Sequence, residues 1–223
     1  MKTLQVCLIL VSLGFCRELR EIPVSKPNLL VPTAVVVGTL GLALAAWTQV
    51  NPRISQFEEI GWDRYVRNIT RPPRWDHDYW VLDYIAHPLV GSETFLLCRN
   101  EGFPFFTSLL FSAASSALWE FGFEAVAERP SVQDLILTPL IGSLIGEFRF
   151  QSGRSLRRSE SLPPLARTIL CALIDPIDLL MAPWRAARAR SEMRGPRLVQ
   201  ASGGPGWNPQ KGLTFDLQTE WSF

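Results

Sequence analysis

The stretch FPFFTSLLFSAASSALWEFGFEAV, residues 103–126, decides the predicted fold because its polar residues recur at every fourth position. Large apolar side chains lie between them, so a helix over this range carries one narrow polar stripe on an apolar surface. A carboxylate at mid-bilayer costs about 2.5–3.5 kcal/mol, so we expect the carboxylates of the stripe to face protein or trapped water and not lipid. The members of this serine stripe are Ser108, Ser112, Ser116, Glu120 and Glu124.

A second stripe with the same spacing follows in the next predicted helix. Ser131 is predicted to be its N-cap, and Asp134, three residues on, stands in the capping-box position. Asp134 therefore has a structural explanation as well as a functional one. Small residues at this spacing allow close helix approach, so we expect the second stripe to pack against the serine stripe. Its members are Asp134, Thr138, Gly142 and Gly146, with Glu147 beside the last of them.

Upstream of both helices, the segment Trp75 to Trp80 contains three aromatic residues and two carboxylates, Asp76 and Asp78. Asp83 and His87 then follow at a spacing that places both on one face if the turn is helical. A proline disfavours the α conformation at the preceding residue. We therefore predict a break at His87 and a new helix that begins with Pro88 as its first residue.

Ionisable side chains are costly in such apolar sequence, which predicts that they gather into a shared polar centre. We expect this centre to be made by His87, Glu120, Glu124 and Glu147, which are also the candidate catalytic residues. The full predicted polar cluster comprises Asp76, Asp78, Asp83, His87, Glu120, Glu124, Asp134 and Glu147. The residues predicted to mediate helix packing are Ser108, Ser112, Ser116, Gly142 and Gly146.

Residues 1–20 have the features of an export signal or an N-terminal anchor. Lys2 precedes an apolar core, and Ser12-Leu13-Gly14 fits a small-x-small cleavage site. Lipidation at Cys16 stays open, because bulky Phe15 precedes it. The range 29–50 has no charged residue and is about long enough to cross a bilayer. It is either a membrane helix or a buried helix of a soluble core.

After the second stripe, the sequence alternates between basic and apolar segments and ends in a linker and a predicted strand. Residues 149–158 are predicted to form a basic turn, and an apolar helix over 165–184 is expected to consist of two short pieces. A basic run at 185–194 is either a solvated helix end or a contact for anionic lipid. Residues 201–208 read as a linker, and 213–223 alternate apolar and polar residues as a strand does.

Composition adds to the prediction of the fold class and of the binding partner. A formal net charge of +1 argues against a nucleic-acid partner, and a hydrophobic content of 47% favours contact with membrane lipid. We predict an all-α, membrane-associated bundle of five or six helices with small-residue packing and a short C-terminal β-like tail. The predicted divisions are a signal or anchor at 1–20, a helical domain at 27–200, and a linker and tail at 201–223.

Several of these motifs occur together in one known family. The chain resembles the bacterial family called domain of unknown function 3943 over residues 56–155. The resemblance rests on Trp75-Asp76 with Asp78, His87-Pro88 with Gly91, Arg99 with Gly102, Trp119-Glu120 with Glu124, Pro130-Ser131 with Asp134, and Gly146-Glu147. It implies an exported protein of the bacterial cell envelope without an assigned reaction, in either the inner or the outer membrane. The chain departs from the family at Asp83, where an amide is usual, and lacks a longer aromatic-rich C-terminal part.

Two hypotheses of function follow. The first is a structural or lipid-contacting envelope protein, whose buried polar residues fix the register of its helices. The second is a metal-dependent or acid/base hydrolase acting on a lipid or an envelope polymer, with ligands from the polar cluster. No ligand spacing such as His-Glu-x-x-His occurs, so the sequence decides neither a metal nor a cofactor. Another envelope protein is a further possible partner. Scattered polar residues would exclude the hydrolase.

Overall fold

The computed structural model describes residues 27–50, 60–75, 79–194, 197–208 and 212–222. The predicted signal segment, residues 1–20, lies outside the described residues. Within these ranges the chain forms seven α-helices, where five or six were expected, so the helical class is confirmed. They are α1 Leu30–Trp47, α2 Trp62–Ile69, α3 His87–Asn100, α4 Phe105–Leu118, α5 Val132–Arg158, α6 Pro164–Ile174 and α7 Pro176–Arg194.

Helix α3 lies at the centre of the bundle, and nine of its 14 residues are buried. Helices α4 and α5 pack against it with small polar side chains. The Ser112 hydroxyl donates to the Gly91 carbonyl oxygen at 3.0 Å, and the Ser116 hydroxyl donates to the Asp134 carbonyl oxygen at 3.2 Å. Thr94 of α3 in turn donates to the Ser112 hydroxyl at 3.0 Å. The serine stripe therefore bonds α4 to both of its neighbours.

The glycines of α5 face α3, which corrects the expectation that they pack against the serine stripe. A Cβ atom on Gly142 would lie 2.7 Å from the Gly91 carbonyl carbon, and one on Gly146 would lie 2.6 Å from the Phe95 ring. Two facing glycines let the backbones of α3 and α5 nearly touch. Serines need space for their hydroxyl bonds, so α4 is the less suitable partner for this closest contact.

The helix break predicted at His87 is absent, and this prediction was wrong. A π-helical turn, Leu82–Ala86, runs directly into α3, and the His87 backbone N–H donates to the Leu82 carbonyl oxygen five residues back. The wider turn accommodates Pro88, which has no N–H to continue the ordinary pattern. His87 keeps helical backbone angles, with φ −59° and ψ −49°.

The helix predicted over 103–126 also changes from α-helical to π-helical geometry near its end. Helix α4 ends at Leu118 and continues as a π-helical turn, Trp119–Phe123, and a 3-10 turn, Glu124–Val126. In an α-helix each four-residue step overshoots a full turn by about 40°, so a stripe of period four drifts around the helix. The wider turn counteracts this drift, and Glu120 remains buried at 1% exposure.

Helix α1 is 18 residues long with a mean hydropathy of 1.9, which is long and apolar enough to cross a membrane. Its buried residues are Pro32, Val36 and Leu40. Its other apolar side chains are exposed or only partly buried, unlike those of a buried helix in a soluble core.

Ion pairs from Arg157 to Asp178 and from Arg188 to Glu101 join the last helix to the bundle. Helix α5 continues to Arg158, so the basic turn predicted at 149–158 is wrong. The expected two pieces are α6 and α7, which part at Asp175, and Asp175 caps α7 by accepting from the Asp178 N–H at 2.9 Å. Arg185 pairs with Asp178, and Arg188 pairs with Glu101 at 2.8 Å. These two arginines thus bind acids of the protein, and neither of the alternatives predicted for the basic run describes them.

The C-terminal tail is a two-stranded antiparallel hairpin of β1 Arg197–Asn208 and β2 Gly212–Ser222. The linker expected at 201–208 is therefore part of β1, paired along its length with β2. Strand pairing uses the backbone, so a glycine-rich segment can pair without showing the alternation that marks a half-buried strand.

Candidate functional site

Three of the predicted polar residues, His87, Glu120 and Asp134, converge between α3, the end of α4 and the start of α5. Each offers one ligand atom, and these atoms all lie within 4.8 Å of one another. His87 Nδ1 lies 3.6 Å from Asp134 Oδ1, and Thr138 Oγ1 lies 3.5 Å from the same ring nitrogen. Glu120 and Asp134 are 1% and 4% exposed, whereas His87 is partly exposed.

An exchange of capping partners explains why the Asp134 carboxylate is available to His87. Ser131 caps α5 as predicted, since its hydroxyl accepts from the Asp134 N–H at 3.2 Å. In a capping box the side chain at the position of Asp134 would reach back to the Ser131 N–H. Here Glu120 of the preceding segment accepts that N–H at 2.7 Å. The carboxylate of Asp134 can therefore point at the histidine ring.

Both widened turns border this cluster. His87 directly follows the π-helical turn at 82–86, and Glu120 lies within the one at 119–123. Single π-helical turns inside helices occur frequently at functional sites, because the inserted residue redirects the side chains around it. Two such turns on facing segments of one cluster mark this region as more than a packing junction.

Glu124 lies beside the cluster, in surroundings that disfavour the charged form of its carboxyl group. Burial raises the pKa of its carboxyl well above the usual range, and the negative charges of Glu120, Glu128 and Asp134 raise it further. A hydrogen bond to Glu120 adds to this effect.

A cavity of about 200 Å³ opens next to these residues. Its polar lining comes from His87, Thr94, Ser115, Ser116, Glu124 and Thr138, and the remaining wall is apolar. Leu40 and Trp47 of α1 belong to this wall. The candidate membrane helix thus forms one side of this cavity, and the polar cluster lies at another.

Two predicted members of the cluster are placed apart from it. Asp83 is buried and accepts a hydrogen bond from the Gln133 side chain at 2.6 Å. Glu147 binds Arg99, with one oxygen 2.9 Å from Nε and the other 3.3 Å from Nη2. Burial acts to raise the pKa of Glu147, but hydrogen bonds from Arg99 and Gln151 and the charge of Arg99 lower it overall.

The inclusion of Glu147 in the polar centre is therefore corrected. Glu147 follows Asp134 on the same helix by 13 residues, which corresponds to about 20 Å along its axis. A periodic stripe predicts a shared face but not a shared depth. Asp76 and Asp78 lie outside the described residues. Of the four residues expected to form the centre, His87, Glu120 and Glu124 meet, and Asp134 takes the place of Glu147.

Sequence reasoning missed three contributors to this region. Gln133 binds Asp83, Thr94 bonds α3 to α4 and lines the cavity, and Trp47 closes the cavity from α1. Thr94 is a polar residue within an apolar helical stretch, a signal that was present. No sequence pattern indicated that Gln133, which follows a helix cap, or Trp47, which lies in an apolar helix, would belong to this region.

The arrangement combines one imidazole and two carboxylates with a further carboxyl group at an apolar cavity. Imidazole and carboxylate groups together are ligands for divalent transition metals. The same groups can also transfer protons, since His87 and Glu124 both reach the cavity.

Fold and site together define a helical bundle with a buried histidine and carboxylate cluster. The family model described as Domain of unknown function (DUF3943) matches residues 72–177. The match confirms the resemblance drawn from the motifs, although it starts at 72 instead of 56 and ends at 177 instead of 155. No curated protein and no solved structure matches the chain.

Proposed function

We propose that the protein is a lipid-contacting membrane protein of the bacterial cell envelope, in which the helical bundle holds its polar cluster away from lipid. The single observation that carries this proposal is the reversed polarity of α4. The four buried residues of this helix are all serines, whereas Phe106 and Leu110 are 76% and 66% exposed. A helix of a soluble protein buries its large apolar side chains and exposes its polar ones.

Helix α5 supports the same proposal. Its uncharged part, between Asp134 and Glu147, buries Thr138, two glycines and Ser143. Its large side chains point outward at the same time, and Leu144 is 62% exposed. Exposed apolar surface of this extent occurs at membrane or protein contacts. A membrane suits it better than one partner protein, because exposed apolar residues are found on α1, α4, α5 and α6 alike.

The N-terminal features add to this support. Helix α1 meets the length and composition of a membrane span, and an export-like segment precedes it in the sequence. In the proposed arrangement α1 spans the membrane, and the outward faces of α4 and α5 contact lipid chains. Replacing Leu110 by a charged residue would then cost about 3 kcal/mol in membrane insertion.

Spin-label accessibility tests this proposal. Nitroxide labels are attached to single cysteines at Leu110 and Leu144 in reconstituted protein that lacks the native cysteines. Ser155, exposed near the charged end of α5, is the matched control. Lipid contact predicts high collision rates with oxygen and low rates with a water-soluble nickel chelate at 110 and 144, with the reverse at 155. Nickel access at all three positions, or low access to both reagents at 110 and 144, would contradict it. The second result would indicate a protein partner.

A hydrolase acting on a lipid or an envelope polymer is the second candidate. The observation in its favour is that His87 and Glu124 line an apolar cavity large enough for part of a lipid chain. Protein reconstituted with phospholipid vesicles, or mixed with peptidoglycan fragments, should then release products that Glu124→Gln abolishes without unfolding. Glu160→Gln, at an exposed position, is the control. Absence of turnover by the wild-type protein on both substrates would exclude this candidate.

A further inference from the structure

We propose that His87, Glu120 and Asp134 bind one divalent transition-metal ion such as Zn²⁺. This inference does not depend on lipid contact, and it deepens the hydrolase candidate by naming the ligands that such an enzyme would use. Three protein ligands, nitrogen and oxygen, are also the usual number in zinc sites that leave a coordination position for water or substrate.

The geometry of the three groups fits such an ion. Two ligands of a tetrahedral zinc ion with bonds of about 2.0–2.1 Å lie about 3.3 Å apart. His87 Nδ1 and Asp134 Oδ1 are 3.6 Å apart, and the Glu120 ligand atom lies within 4.8 Å of both. The ligands come from three separate helical segments: bonds of Ser116 and Ser131 join the segments of Glu120 and Asp134, and the bond from Ser112 to Gly91 joins α4 to the helix that begins with His87. Small side-chain rotations would therefore complete the site without moving a helix.

Charge gives an independent reason for a cation here. Elsewhere in the described residues, several buried or partly buried acids are paired with arginines, whereas Asp83 and Asp175 accept hydrogen bonds from the side-chain amides of Gln133 and Asn100. The pairs with arginines are Glu93 with Arg149, Glu101 with Arg188, Glu147 with Arg99, and Asp178 with Arg157 and Arg185. In the cluster the basic partner of Asp134 is His87, whose charge is at most one. Two almost fully buried carboxylates share this site with the histidine, and a dication placed between them would balance both negative charges.

The cavity supplies access to the site. His87 belongs both to the three ligands and to the lining of the cavity, together with Thr138 and Glu124. An ion at this position would therefore have an entry path and space for a further ligand such as water. Glu124 is not needed as a ligand and lies where it can bond to that water.

The capping exchange supports the inference from another direction. Glu120 uses one oxygen, Oε2, to accept the Ser131 N–H, which orients its carboxylate. Hydrogen bonds of this kind from outside the site hold metal-binding carboxylates in place, and their removal typically lowers metal affinity about 10–100-fold. The structure thus contains a means of fixing the position of one proposed ligand.

Metal uptake by the full-length, detergent-purified protein tests the proposal. The protein is stripped with a chelator and titrated with Zn²⁺, and with Co²⁺ as a spectroscopic probe, beside Asp134→Asn and His87→Ala. Glu147→Gln is the matched control, because it neutralises a carboxylate of the same helix outside the cluster. We expect one ion per chain in the wild type and in the control, and an affinity at least about 100-fold lower in the two cluster variants.

The cobalt spectrum keeps the test decisive if a variant fails to fold. A low-coordinate site with one nitrogen and two oxygen ligands predicts visible absorption stronger than that of hydrated Co²⁺ in the wild-type protein. Histidine coupling in the electron spin resonance of the bound ion identifies His87 directly, since the only other histidine, His77, can be replaced by Gln. Absence of stoichiometric uptake, uptake unchanged in folded Asp134→Asn, or preference for Mg²⁺ over Zn²⁺ would overturn the proposal. None of these readouts measures lipid contact or hydrolysis.

Discussion

Gly142→Ala tests the close contact between α3 and α5 on which the position of the polar cluster depends. The added Cβ would lie 2.7 Å from the carbonyl carbon and 2.8 Å from the Cα atom of Gly91, and 2.8 Å from the Pro88 oxygen. Comfortable carbon contacts need about 3.5 Å, so the two helices must separate by about 0.8 Å. All three neighbours are backbone atoms, which cannot move aside as a flexible side chain can.

The expected cost follows from these distances. Overpacking of a tight interior typically costs about 1–3 kcal/mol, and backbone neighbours favour the upper part of this range. Alanine gains about 1 kcal/mol over glycine inside a helix, which leaves a net loss of about 1–2 kcal/mol. For a protein of this size such a loss lowers Tm by several degrees, at about 2–4 °C per kcal/mol.

Gly38→Ala is the matched control for this prediction. Gly38 also lies inside a helix, but no atom comes within 4 Å of the Cβ position, so alanine should raise the free energy of unfolding by about 0.5–1 kcal/mol. Thermal unfolding of both variants in detergent, followed by circular dichroism, should therefore separate them by at least about 3 °C. Equal Tm values, or a higher one for Gly142→Ala, would refute the proposed contact.

Three further substitutions test other parts of the structure. Glu147→Gln should lower the free energy of unfolding by about 1 kcal/mol at pH 7, because the pair with Arg99 is lost. Since that pair lowers the pKa of Glu147, the difference from wild type should shrink as pH falls through this pKa in an acid titration of unfolding. Ser131→Ala should cost about 1 kcal/mol in thermal unfolding through loss of the cap to the Asp134 N–H. Asp178→Ala leaves its buried arginine partners without their acid and should cost about 3–5 kcal/mol in chemical denaturation.

Each of these three has an outcome that would contradict it. A difference between Glu147→Gln and wild type that grows in acid would show that the carboxylate is not held in its charged form. A Ser131→Ala variant as stable as wild type would mean that the Glu120 contact alone secures the start of α5. An Asp178→Ala variant with wild-type stability would show that the arginines of α7 do not depend on this acid.

The period of the two stripes was sufficient to predict burial. Ser108, Ser112, Ser116 and Glu120 were expected on one protected face, and all four are buried. The cap at Ser131 was also readable, because an N-cap is a local feature of four residues. The family resemblance followed from the spaced motifs. These inferences succeeded because each depends on residues that are close in sequence.

Two predictions that depended on contacts between distant residues or on unusual helix geometry were wrong. The glycines of α5 pack against Gly91 and Phe95 and not against the serines, and the sequence of α5 does not choose between two neighbouring helices. The break predicted at His87 ignored the π-helical turn, which tolerates a proline where an ordinary turn does not.

The sequence by itself determined the helical class, the buried polar stripes, the cap of α5 and the family resemblance of residues 72–177. Only the tertiary structure decided that Asp134 joins His87 and Glu120 while Glu147 binds Arg99 about 20 Å away along the helix. The physical reason is that periodicity along a helix gives the direction of a side chain. Its depth in the bundle and its partner are set by the other helices that pack against it.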